Sequence, residues 1–148
     1  MEPFEQNLVK LPHRQVVQVA IYAAELVIDL ISAEHKPLAD KCIEVAKKWL
    51  KGEATAEECE KLADKMWFDI KVGDIPPAMS IRPVAYAAWS AWGDKHLTDD
   101  YGYYARMGVR SAIGASSNPE ETAAKINTYF DNLLNIDKYV EEAFLGGD

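Results

Sequence analysis

The chain has 148 residues, 49% hydrophobic and 27% charged, a composition that argues against disorder and supplies enough apolar surface for one domain without disulfide staples. Sixteen Lys and Arg stand against 24 Asp and Glu, and the net charge of -8 repels phosphate backbones and anionic headgroups, which argues against nucleic-acid and membrane binding. The acid is concentrated late in the chain, where seven carboxylates after Pro119 face only Lys125 and Lys138.

The opening MEPFEQNLVKLPHR has neither the basic nor the apolar region of a signal peptide, and residues 1–13 read as an N-terminal arm. The longest apolar stretch, Val16 to Ile31, is interrupted by Gln18, Glu25 and Asp29 and so does not read as a membrane span. A cytoplasmic protein is therefore expected. Cys42 and Cys59 match neither a redox pair nor a zinc ligand set and are expected as reduced core residues.

RQVVQVAIYAAELVIDLISAE predicts a first helix of about five turns. Its polar positions, Gln15, Gln18, Tyr22, Glu25, Asp29 and Ser32, form one narrow stripe at spacings of three and four. A second helix opens at Lys36-Pro37 and stops at Gly52. Thr55 to Glu58 is a capping box for a third, which runs to about Val72 and should pair with the second as an antiparallel hairpin.

The proline-rich 74–82, DIPPAMSIRP with its flank, predicts an irregular loop, with a fourth helix starting at Pro83. A fifth helix is expected from about Asp99 to Ile113. A sixth, capped at Ser117-Asn118, is expected to reach Leu134 and break near Asn135 before a short last helix. No strand pattern appears. The fold expected is a compact all-α bundle of six or seven helices, a single domain over 1–148.

Chemistry is harder to read. Glu25 and Asp29 lie at i and i+4 with Tyr22 one turn away, which suits either the solvated edge of a helix or a paired-acid site. Arg106 and Arg110 repeat that spacing with Tyr103 a turn earlier, among small residues that permit close helix approach. One hypothesis is an ion-pair network between these arginines and Glu25 and Asp29 across the helix interface; the other is an anion held by Tyr103, Arg106 and Arg110. His96 with Asp94, Asp99 and Asp100 lacks the order of a calcium loop, and Asp99 reads as a helix cap. Trp89 and Trp92, beside Tyr86, Tyr101, Tyr103 and Tyr104, suit core packing at a helix corner, yet aromatics next to Arg are also the composition of interaction hot spots. No catalytic motif is present, which leaves an enzyme unsupported but open, and no cofactor is expected.

Ala24-Glu25, Lys36-Pro37, IEVAKKWLKGE from Ile43 to Glu53, Thr55 to Glu58 and the later AYAAWSAW together resemble the small all-helical immunity proteins of bacteria and phages. Those proteins show Asp-x-Arg-Pro-Arg before the second helix, where this chain has Glu34-His35-Lys36-Pro37-Leu38. Their third helix carries alanine tracts, replaced here by Met66, Trp67 and Phe68. The resemblance implies a non-catalytic, stoichiometric binder that neutralises a protein partner. The chain's acidity would suit a basic target, and its surface aromatics would also serve a homodimer. Two other readings stand beside this: a small-molecule or anion binder using Tyr22, Glu25, Asp29, Arg106 and Arg110, and a hydrolase with a carboxylate-held metal.

Overall fold

The computed structural model describes residues 11–72, 75–93 and 102–145, with side chains described over 11–68, 82–93 and 102–135. Among these residues the chain is all-α: α1 (His13–Val27), a short 3-10 turn (Ile28–Leu30), α2 (Lys36–Leu50), α3 (Ala56–Val72), α4 (Ile75–Gly93), α5 (Tyr103–Ala115) and α6 (Pro119–Leu145). The expected arm up to residue 10, and the expected roles of Asp94, His96, Asp99, Asp100 and Tyr101, lie outside the described residues.

Local signals set several of these boundaries. At the end of α2, Gly52 takes a φ of 75°. Its N–H donates to the Trp49 carbonyl at 3.0 Å, and that of Glu53 donates to Lys48 at 2.8 Å. This pair of bonds is a Schellman cap, and the left-handed residue at its centre carries no Cβ penalty because it is glycine. Thr55 then caps α3, its Oγ1 accepting the Glu58 N–H at 3.1 Å. Asn118 caps α6 in the same way through the Glu121 N–H at 3.2 Å, with Pro119 in the first helical position.

The second and third helices form the expected antiparallel hairpin. The thiol of Cys42 on α2 donates to the Leu62 carbonyl at 3.5 Å, and that of Cys59 on α3 donates to Val45 at 3.7 Å. Contacts that run forward along one helix and backward along the other fix opposite directions. Both cysteines are free and buried. Burial, reinforced for Cys42 by Cys59 and for Cys59 by Glu58 and Glu57, pushes each thiol from 9.0 up to about 12.

Four expectations are corrected. Residues 75–82 do not form a loop: α4 is helical from Ile75, so it begins well before Pro83. Pro76 and Pro77 fall in its first turn, where a backbone N–H has no intrahelical partner to lose. Pro83 does lie inside the helix and lacks the N–H that would bond the preceding turn. Tertiary packing offsets that loss, because α4 packs against α1, α2, α3 and α5. The first helix leaves α geometry at Ile28 rather than continuing to Glu34. The fifth starts at Tyr103. The last does not break at Asn135 but runs unbroken to Leu145.

The core is built around α4 and α1. On α4, Val84, Ala85, Ala87, Ala88, Ser90 and Ala91 are buried, and on α1 the same holds for Val16, Val17, Val19, Ala20, Ala23, Ala24 and Val27. Small side chains at so many positions bring the helix axes close, and contact area replaces side-chain bulk. Gly108 on α5 shows how close: a Cβ built there would stand 3.2 Å from the Tyr86 Cβ. No helix is long and apolar enough to cross a membrane among the described residues.

Two outcomes follow. Gly108→Val should destabilise the fold by about 2 kcal/mol or more in a denaturant titration, since Tyr86 Cβ is fixed by its own helix; Gly108→Ala should cost less, because alanine's helix preference of about 1 kcal/mol offsets the crowding. At about pH 8, where an exposed thiol reacts, neither cysteine should titrate with a thiol reagent in the native chain, and both should titrate in denaturant.

Candidate interaction surface

Of the eight residues singled out by sequence, five fall in two places. Tyr22 and Glu25 lie where α1 meets α6. There Tyr22 is half-buried and its ring stacks on Tyr129, with centroids 4.2 Å apart and planes 3° from parallel. Burial raises the Tyr129 hydroxyl above its ordinary pKa, with Glu25 and then Tyr22 adding to the shift. Beside the stack, Tyr22, Lys125, Thr128, Tyr129 and Asn132 line an open groove of ≈ 300 Å³.

The carboxylates themselves are engaged by α2. Glu25 pairs with Lys47 at 3.0 Å and Asp29 with Lys36 at 3.2 Å. The hypothesis of a network to Arg106 and Arg110 gives way to these lysine pairs. The change to 3-10 geometry at Ile28 turns Asp29 off the α-helical stripe, and α2 presents lysines on that side. The Asp29 side chain is 94% exposed, so this pair contributes little to stability. Arg106 is half-buried and Arg110 exposed on α5, at i+3 and i+7 from Tyr103. Among the described residues, no three potential metal-ligating side chains converge.

Trp89, Trp92 and Tyr103 belong to the second place, a corner where α3, α4 and α5 meet. The helix spacing along α4 puts Tyr86 and Trp89 one turn apart, and α3 brings Trp67 against both, at 5.4 Å from Tyr86 and 5.2 Å from Trp89. From α5, Tyr104 reaches Trp89 at 5.6 Å and Trp92 at 6.1 Å, and Tyr103 stands edge-on to Tyr104 at 5.5 Å. Tilted and edge-to-face contacts of this kind add attraction beyond the area they bury. They also fix each ring by its neighbours.

Polar groups hold the edge of this corner. The indole N–H of Trp89 donates to Asp64 Oδ1 at 2.9 Å. The guanidinium of Arg82 lies over the Trp67 ring, 5.9 Å from its centroid. The Tyr104 hydroxyl is raised above its ordinary pKa by burial first, then by Tyr103, Asp64 and Glu60, so both carboxylates act on it. Tyr86 is raised for the first two of those reasons, against a lowering effect of Arg82.

The corner opens to solvent at its rim. Tyr103 is 43% exposed, and Phe68, next to Trp67 and one helical turn beyond Asp64, is 63% exposed. Sequence reasoning placed Trp89, Trp92 and Tyr103 here but missed the α3 contribution of Glu60, Asp64, Trp67 and Phe68. Their spacing along one side of α3 was readable; that this side faces the α4 aromatics was not. Tyr129, the stacking partner of Tyr22, was also missed, for the same reason.

Glu25→Gln should lower the Tyr129 pKa while leaving Tyr104 unchanged, as read by ultraviolet titration against Tyr129→Phe and Tyr104→Phe references. Comparisons with known protein families, with curated proteins and with solved structures find no match for this chain.

Proposed function

We propose that this chain is a non-catalytic binding protein that neutralises a protein partner by stoichiometric association, and that the α3–α4–α5 aromatic corner is its contact surface. The observation that carries the reading is the combination of an exposed Phe68 and Tyr103 with a base of indole and phenol rings that hold one another in place. Protein interfaces concentrate their energy in Trp, Tyr and Arg near a desolvated centre, and rings already ordered lose little entropy on binding. The resemblance to immunity proteins supports the same class of action. A net charge of -8 favours a basic partner through faster encounter. Two free cysteines suit a reducing compartment such as the cytoplasm.

The test is affinity capture from a lysate of the source organism with the tagged chain, at low and high salt. A single basic partner at one-to-one stoichiometry is expected, released by salt and lost with Phe68→Asp or Tyr103→Ala. Phe68→Asp should keep wild-type thermal stability, because that side chain is exposed in the free chain, whereas Tyr103→Ala should cost about 1 kcal/mol with its edge-on contact to Tyr104, a loss too small to unfold the chain. Recovery of the chain's own untagged copies instead would assign the surface to a homodimer, and a partner retained equally by both variants would move the contact surface elsewhere.

A further inference from the structure

The aromatic corner combines two features that differ in what they attract. Its ring faces carry negative potential above their planes, and a cation within about 6 Å of a ring centroid is attracted to it. The nearby carboxylates of Asp64 and Glu60 add full charge: Asp64 is bonded to Trp89, and both act on the Tyr104 hydroxyl. Trp67, Trp89 and Tyr104 are each half-buried, so each keeps part of its surface open. The corner already holds one cation of the chain's own, since the exposed Arg82 sets its guanidinium over Trp67.

We propose that the corner is a receptor for an arginine side chain of the protein partner, seated against the Trp89 and Tyr104 rings with Asp64 and Glu60 opposing its charge. This rests on the reading of the corner as a protein-contact surface and specifies what that surface recognises. Arginine fits better than lysine for two reasons. A guanidinium is planar and weakly hydrated, so it lies flat on an indole or phenol ring, whereas an ammonium is a compact and strongly hydrated charge. Its several N–H donors can also engage a carboxylate while the plane stays on the ring. Asp64 suits that role because it uses one named oxygen, Oδ1, on the Trp89 indole, and the side chain is exposed. The same hydrogen bond fixes the Trp89 ring relative to the carboxylate before any partner arrives. Arg82 is the internal counterpart of this contact and competes for the Trp67 end of the same surface.

The experiment is a titration of the full chain with end-capped tri-arginine, followed by NMR of the tryptophan indole N–H signals, with end-capped tri-lysine as the comparison. Trp49, whose ring packs against His13 and is not one of the corner rings, is the internal control. Saturable shifts of the Trp67 and Trp89 signals are expected with tri-arginine, much smaller ones with tri-lysine, and none at Trp49. Asp64→Asn keeps an oxygen acceptor for the Trp89 indole but removes the charge; combined with Glu60→Gln it should weaken tri-arginine binding by about fivefold. Arg82→Ala should strengthen it. Equal responses to the two peptides, a matching shift at Trp49, or unchanged affinity in the Asp64→Asn, Glu60→Gln variant would each overturn the arginine assignment. Failure of the wider reading looks different: affinity capture would then return no partner dependent on Phe68 and Tyr103, whatever the peptide does.

Discussion

The rest of the structure depends on one constraint: α4 must be narrow enough for four helices to reach it. Between Val84 and Ala91 its buried positions are mostly alanine, and α1, α2, α3 and α5 all pack against it. A leucine-rich helix would hold its neighbours farther away. Gly108 meets the same constraint from the other side, placing the α5 backbone where even a methyl group would crowd Tyr86. Close approach of this kind stabilises by contact area and dispersion, and it leaves little tolerance for added volume.

The alanines of α4 alternate with large rings. Between and beside Ala85, Ala87, Ala88 and Ala91, Tyr86, Trp89 and Trp92 supply the bulk that alanine lacks, and Trp67 of α3 and Tyr104 of α5 pack against them. The rings are therefore structural on their inner side, where Tyr86 is buried, and open on their outer side, where Tyr103 is not. One cluster can support the packing and present a surface because its members touch each other as well as the core. The carboxylates of α3 give that surface its sign, and the Asp64 bond to Trp89 fixes the charge relative to the rings.

The opposite side of α1 is held by different means. Tyr22 stacks on Tyr129 to dock α6, while Lys47 and Lys36 of α2 pair with Glu25 and Asp29. These contacts are peripheral, and the ion pairs are solvated, so they orient neighbouring elements more than they stabilise them. The hairpin of α2 and α3 is tied internally by the reciprocal bonds of Cys42 and Cys59 to carbonyls of the facing helix. Their raised pKa values follow from that burial and mark them as packing groups.

The all-α class, the amphipathic first helix, the Gly52 stop, the Thr55 and Asn118 caps and the burial of both cysteines were legible in the sequence, because each rests on local periodicity or on the chemistry of one residue. Where sequence and structure part, an interaction distant in the chain decided the outcome. Prolines at 76, 77 and 83 together signal a loop; the first two lose no bond because they open the helix, and at Pro83 a helix that packs against four others tolerates a missing N–H that an isolated one would not. Likewise, residue spacing placed Trp89 and Tyr103 at a polar helix corner, and only the packing of α3 against α4 added Trp67 and Asp64 to it. Glu25 and Asp29 were visible as a pair; that lysines of α2 engage them depends on how the second helix folds back, which no spacing within the first helix specifies. The sequence by itself determined which segments are helical at their well-capped ends and which faces are apolar. The tertiary structure decided which faces meet, since a helical stripe can pack against any partner of matching width and only the whole assembly selects one.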